Sequence, residues 1–312
     1  MSDIDIAWVK AEGERLRRWG KWGDGGKGAL NFVTPDRIVA AASLVRDGRV
    51  VSLAMPFNSE GPQPDEGRYN PKLTMIQVGD QQGLPGGFQY ADDTIYMSLQ
   101  GATQWDALSH AFYDGFMWNG YPVSGSITPE GAQLNSVTTF STGVVGRGVL
   151  LDVARHFKMD CLDDYTAISP ETLDAVVAEE GVAIEIGDIV LVRTGRVGRA
   201  IREGNSYPME GFTFAAPGLS VKCADWLVTH EIAAVAADNV AVEVTSPEGA
   251  DMMMPLHMIC QRDAGIPFGE LFDLEALSEA CAELHRWEFL LVAPPLPITG
   301  AVGSPVNPLA IF

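Results

Sequence analysis

Three nearly continuous apolar runs constrain what this chain can fold into: Asp188-Ile-Val-Leu-Val-Arg193, Ala233-Ala-Val-Ala-Ala237 and Trp287-Glu-Phe-Leu-Leu-Val-Ala293. A strand with one face in water alternates polar and apolar residues, so an unbroken short run belongs to a strand covered on both faces. Helix signals lie between such runs. Thr34-Pro35-Asp36 supplies an N-cap, a proline at the first helical position and an acid in the first turn; Ile38, Ala41, Ala42 and Val45 then share a face, and Gly48 stops the helix. Ser169-Pro170-Glu171 opens a second helix that ends at Gly181, and Ser220–His230 and Glu275–Leu284 read as further helices. Arg49–Phe57, Asp93–Gln100 and Gly148–Val153 read as strands, with Gly, Pro and Asn making residues 58–90 a long surface excursion of the kind that covers a site. The alternation predicts one α/β domain with a mixed β-sheet. No repeat or linker divides it, and the expected organisation is an N-terminal arm, 1–33, followed by a single domain, 34–312.

In the arm, a helix around Ile6–Arg18 precedes a Trp- and Gly-rich stretch, Trp19–Gly28. Its glycines lack the spacing of a phosphate loop, and no strand leads into them. The 312 residues carry a net charge of −20, which excludes nucleic acid as a partner because no cationic excess can displace phosphate counterions. Cys161, Cys223, Cys260 and Cys281 are dispersed and read as small buried hydrophobes, and Met252–Met254 as packing. No apolar run approaches the roughly 18 residues of a membrane span, and no secretory signal is visible, so the expected compartment is the cytoplasm.

The chemistry is concentrated in residues 98–114. There Gln100, Gln104, Asp106 and His110 recur at gaps of four, two and four, each with a lone pair to offer a cation or a polarised substrate. The gap of two suits an extended strand, where alternate side chains share a face. Residue types alone leave two readings, a ligand-binding cluster and a buried polar network with satisfied hydrogen bonds. Phe112, Tyr113, Phe116, Trp118 and Tyr121 follow directly, as a hydrophobic anchor or as the wall of a pocket.

The frame Thr103-x-x-Asp106-x-x-x-His110 resembles the signature of the cyclase family of metal-dependent hydrolases, of the bacterial kynurenine formamidase and isatin hydrolase type. That signature reads H-x-G-T-H-x-D-x-P-x-H. Thr103, Asp106 and His110 match it, whereas Gln100 and Gln104 stand in place of two histidines, Ala102 in place of the glycine and Leu108 in place of the proline. Asp188–Gly195, Gly218–Ser220, Ala237–Asn239, the pair His257 and Glu270, and Glu288–Pro297 resemble later parts of the family. The resemblance implies a swivelling β/β/α fold, assembly as a homodimer or homotetramer, and hydrolysis of formamides or cyclic amides by a metal-activated water, with zinc or manganese.

An amide oxygen is a weaker donor to these metals than imidazole, so Gln100 and Gln104 impoverish the first metal position. The set that remains is expected to hold a single divalent ion through Asp106, His257 and Glu270, with His110 as a fourth ligand or general base. Gln100 and Gln104 are then expected to donate to a developing oxyanion or to favour a harder metal, and Trp105, Tyr113 and Trp118 to stack on a flat small-molecule substrate. The expected activity is cleavage of an amide, formamide, cyclic imide or lactone bond. The alternatives are a metal-free acid/base hydrolase or cyclase/lyase using His110 or His257, and a non-catalytic ligand-binding relative.

Overall fold

The computed structural model describes residues 4–64, 67–203, 209–210, 213–245, 248 and 252–312. Eleven strands matter here: β1 Val50–Ser52, β2 Lys72–Val78, β3 Ala91–Tyr96, β4 Gln104–Asp106, β5 Val145–Asp152, β6 Ile189–Arg193, β7 Ala234–Ala237, β8 Phe268–Glu270, β9 Glu288–Val292, β10 Gly303–Pro305 and β11 Leu309–Ile311. Nine of them form one mixed sheet in the order β1-β11-β9-β5-β6-β7-β8-β4-β10. Its centre, β5-β6-β7-β8, is parallel, and antiparallel strands extend it on both sides. The α/β class and the mixed sheet expected from the sequence are therefore present.

The longer helices among the described residues are α1 Ile6–Leu16, α2 Pro35–Ala42, α3 Pro170–Glu180, α4 Arg196–Glu203, α5 Cys223–Thr229 and α6 Glu275–Leu284. Helices cover both faces of the sheet, which explains the nearly continuous apolar runs. In β6, Val190 and Val192 enter one core with residues of α3 and α5, while Ile189 and Leu191 enter the other with residues of α6. Each alternate side chain thus leaves water, at about 1.5–3 kcal/mol of stabilisation per large aliphatic group. Among the described residues no helix is long and apolar enough to cross a membrane, and all four cysteines are free.

Three local expectations are corrected. The strand foreseen at 49–57 is confined to Val50–Ser52, beyond which only an isolated bridge joins Ala54 to Phe272. The excursion at 58–90 contains β2, and the strand that follows it is Ala91–Tyr96. This β3 pairs with β2 alone, so the two form a hairpin outside the main sheet.

Residues 6–32 run across the segment 255–265. Arg18 N donates to Asp263 O (2.9 Å), Trp19 Nε1 to Arg262 O (2.8 Å) and Ala29 N to Gly265 O (2.6 Å). Gly28, at φ +54°, brings its backbone so close to Gly265 O that a Cβ would sit 2.1 Å away. That approach, rather than phosphate binding, accounts for a glycine there.

Candidate active site

The site forms where β4 lies antiparallel to β8, with Gln104 opposite Glu270 and Trp105 opposite Gly269. Opposed residues share a face of the sheet, as do residues two apart on one strand. Gln104, Asp106 and Glu270 therefore project to one side and Trp105 to the other. On that other side a Cβ at position 269 would lie 2.8 Å from Trp105 Cζ3, so the indole occupies the space that glycine leaves.

His257 approaches from a helical turn, Pro255–His257, that continues as a π-helix, Met258–Ala264. Its Nε2 lies 3.4 Å from Glu270 Oε1 and 3.8 Å from Asp106 Oδ2. One donor atom from each of the three residues falls within 4.8 Å of the other two, and all three side chains are buried. Two glutamines bind this cluster together. Gln104 Nε2 donates to Glu270 Oε2 (2.7 Å), and Gln261 Nε2 donates to Asp106 Oδ2 (3.2 Å). The carboxamide oxygens of both glutamines are buried without a hydrogen-bond partner.

Behind the imidazole stands Glu243. One of its oxygens accepts the amide of Leu256 (2.9 Å), and the other accepts the amide of His257 (2.9 Å) and His257 Nδ1 (2.5 Å). The carboxylate thus satisfies N–H groups at the start of the turn and turns Nε2 toward Asp106 and Glu270. Burial penalises the imidazolium, but the hydrogen bonds to Glu243 and Glu270 outweigh it and hold the proton up to about pH 10. Burial, chiefly, raises the carboxyl of Asp106; His110 opposes the rise and Glu270 adds to it. Several acids thus face one imidazole in a low-dielectric site, an arrangement that a bound cation relieves.

His110 stands at the edge, its Nε2 3.9 Å from Asp106 Oδ2 and its side chain 22% exposed. It is carried by a turn closed by His110 N to Ala107 O (2.9 Å), rather than by a helix. The structure therefore brings Gln104, Asp106, His110, His257 and Glu270 together. Gln100 lies beside them: its buried Nε2, without a hydrogen-bond partner, packs against Gly303, which pairs with Asp106.

The aromatic side chains lie elsewhere. Trp105 is fully buried, donates Nε1 to Ala293 O (2.9 Å) and meets Phe272 edge-on, so no ring face remains for a substrate. Trp118 is buried between Trp22 and Gly265. Tyr113 donates to Asp263 Oδ2 (2.5 Å) and lies under the Arg262 guanidinium. Trp105 and Trp118 are packing residues, because the strand pleat and residues 6–32 claim the faces that a substrate would need, whereas Tyr113 is only half-buried. Two residues that the sequence reading passed over, Glu243 and Gln261, contact the cluster directly. Gln261 follows His257 by four positions, a spacing that shares a helix face, but nothing in the Met-rich segment announced a helix.

Comparisons with known proteins bear on the family and the fold. The cyclase family model matches residues 51–244. A crystal structure described as a novel cyclase is 37% identical, covers 95% of this chain and 100% of its own, and superposes with a TM-score of 0.85. Isatin hydrolase A from Ralstonia solanacearum is 20% identical over 90% of this chain and 99% of its own, with a TM-score of 0.67. A predicted metal-dependent hydrolase from Bacillus stearothermophilus is 21% identical over 84% of this chain and 97% of its own, with a TM-score of 0.51. These last two likenesses concern the fold. A search of curated proteins returned no match. On the family model and the 37% identical structure, the chain belongs to the cyclase family.

Proposed function

We propose that this chain is a hydrolase of a non-peptide C–N bond, in an amide, formamide or cyclic imide, or of a lactone, with one divalent cation held by Asp106, His257 and Glu270. The observation that carries the reading is the convergence of those three buried side chains, with Gln104 and Gln261 each leaving a carboxamide oxygen unpartnered beside them. Two carboxylates and one imidazole suit zinc or manganese, and amide oxygens suit a harder ion better than a softer one. Such an ion, when bound, lowers the pKa of its water and polarises the carbonyl under attack.

The chain's own groups supply the rest. His110, the imidazole in contact with solvent, takes the water's proton and returns it to the leaving nitrogen or oxygen. Glu243 fixes the imidazole of His257, and Gln104 and Gln261 fix the two carboxylates, so no group need reorganise during reaction. The likeness to isatin hydrolase, whose name states a cyclic amide, supports cyclic amides as substrates; arylformamides, which are open-chain amides, share the C–N bond to be cleaved but not the ring.

A panel of formamides, cyclic imides and lactones, assayed with and without Mn²⁺ or Zn²⁺, tests the activity. Asp106→Ala is expected to lose both bound metal, by elemental analysis, and turnover. Retention of both would overturn the assignment. A metal-free acid/base site is the second reading, favoured by Gln100 and Gln104 in place of imidazoles; it requires turnover that chelation leaves untouched.

A further inference from the structure

We propose, resting on that hydrolase reading, that Arg68 is a specificity-determining residue of the site. Its guanidinium receives a carboxylate carried by the substrate, so the chain takes anionic amides, imides or lactones in preference to neutral ones. The side chain is half-buried, and Nη1 donates to the carbonyl of Gln100 at 3.4 Å. A bond of that length is weak, and a guanidinium has five N–H donors to place. Among the described residues no carboxylate lies within ion-pair distance of it. Other arginines that are withdrawn from water differ: Arg147, Arg193, Arg199 and Arg262 each hold an aspartate or glutamate.

Gln100 ties this guanidinium to the acidic cluster. Its carbonyl takes the Arg68 N–H, while its own Nε2 packs on Gly303, which pairs with Asp106. The charge is felt there: burial raises the Asp106 carboxyl, and Arg68 is among the groups that pull it back. An anionic ligand needs such a group. The chain carries a net charge of −20, and the carboxylates of Asp106, Glu270 and Glu243 together outweigh one divalent ion, so the field at the site repels an anion. A planar guanidinium reverses that field locally. It also meets the two oxygens of a carboxylate with two parallel N–H donors.

The rest of such a substrate meets an apolar surface. Ala102, two residues before Gln104, Leu271, directly after Glu270, and Met254, three residues before His257, belong to one apolar cluster with Phe57 and Met97. Phe57, Met97 and Met254 are only half-buried. Met97 adjoins Ser98, which is bonded in both directions to Tyr69, the neighbour of Arg68: Tyr69 N donates to Ser98 Oγ (2.8 Å) and Ser98 N to Tyr69 O (3.2 Å). Adaptable apolar side chains and one cation thus stand on adjoining segments that lead into Gln104 and Asp106, surroundings that suit a ring bearing a carboxylate.

Probes that cannot be cleaved test the proposal: ortho-acetonylbenzoate, a ketone analogue of an arylformamide, and an indanone carboxylate, a ketone analogue of a cyclic amide. Each is compared with the neutral molecule in which an acetyl group replaces the carboxylate. Titration calorimetry of the Mn²⁺-loaded full chain gives the ratio of neutral to acid dissociation constants. The wild type is expected to bind the acid more tightly in at least one pair. Arg68→Gln should lower that ratio about 10- to 100-fold, the worth of one charge-assisted pair. Arg68→Lys keeps the charge without the fork and should fall between them. Arg46→Gln removes the same charge at an exposed position past the end of α2 and should keep the wild-type ratio. Far-UV circular dichroism confirms that each variant is folded. In turnover of N-formylanthranilate, the loss in Arg68→Gln should appear in KM rather than in kcat. A wild type that prefers the acid in neither pair would overturn the proposal. So would an Arg68→Gln ratio within about twofold of the wild type, including equal weakening of acid and neutral probes. Arg68-dependent binding of the acid without turnover of any amide, imide or lactone would refute the hydrolase reading and leave the carboxylate site standing.

Discussion

Replacing Glu243 with glutamine tests how the imidazole of the site is aimed. In the native chain its carboxylate accepts three N–H groups, from Leu256, from His257 and from the His257 ring, at 2.5 to 2.9 Å. A carboxamide of nearly the same shape keeps one acceptor oxygen and replaces the other with a donor. At least one buried N–H must then face another N–H. Losing a hydrogen bond to a charged acceptor costs about 1.5–3 kcal/mol, and a stranded buried donor about 1–3 kcal/mol, so a net loss of about 3 kcal/mol is expected. With an unfolding entropy of about 2.1 cal/mol/K per residue, that loss lowers the melting temperature of this chain by roughly 5 °C. The ring is also freed to turn, and Mn²⁺ affinity should fall about 10- to 100-fold, the usual consequence of removing a group that orients a ligand. Calorimetric melts and Mn²⁺ titrations of wild type, Glu243→Gln and Glu243→Asp measure both effects. The aspartate keeps two acceptor oxygens on a shorter stem and should fall between the other two. A Glu243→Gln protein that melts within about 1 °C of wild type and binds Mn²⁺ equally well would refute the orienting role.

Three further outcomes follow from the geometry. Gly269→Ala places a methyl group 2.8 Å from Trp105, Ala236 and Phe272; it should cost about 1–3 kcal/mol by denaturant titration and lower metal occupancy, because Trp105 shares its strand with Gln104 and Asp106. His257 holds its proton up to about pH 10, yet must be neutral to bind a cation; at pH 7–8 Mn²⁺ binding should release about one proton, seen as a binding heat that varies with buffer ionisation enthalpy. Burial pushes the Glu180 carboxyl up to about pH 8, so the unfolded chain releases this proton at lower pH than the folded one; stability should fall between about pH 4.5 and 8, by about 3 kcal/mol after allowance for partial solvent contact, and urea titrations of Glu180→Gln should show that slope flattened.

Much of the architecture is legible in the chain because it rests on local rules. Residues 189–192 are apolar on both faces of the strand, and both faces are covered. Ser169 accepts from Thr172 N at the start of α3, and Gly181 ends that helix at φ +65°. The hairpin was not legible, since β2 and β3 face no core that would impose an alternating pattern, although Gly79, Gly83, Pro85, Gly86 and Gly87 mark the loop between them. Within the site, the Gln104 and Asp106 spacing announced a shared face, because a strand alternates whatever surrounds it. The same alternation sends Trp105 into the core, and the expectation that it meets substrate failed because an intervening residue cannot share that face.

The sequence by itself determined the class of fold, the covered strands and the residues with ligating chemistry, since periodicity and donor type belong to each short stretch alone. Only the tertiary structure decided which donors meet. Asp106 and Glu270 come together through the antiparallel register of two three-residue strands, and His257 reaches them because Glu243, distant from the motif, turns its ring. Register and ring orientation depend on contacts between segments more than a hundred residues apart in the first case and on an unannounced carboxylate in the second. Neither leaves a periodic trace in the chain.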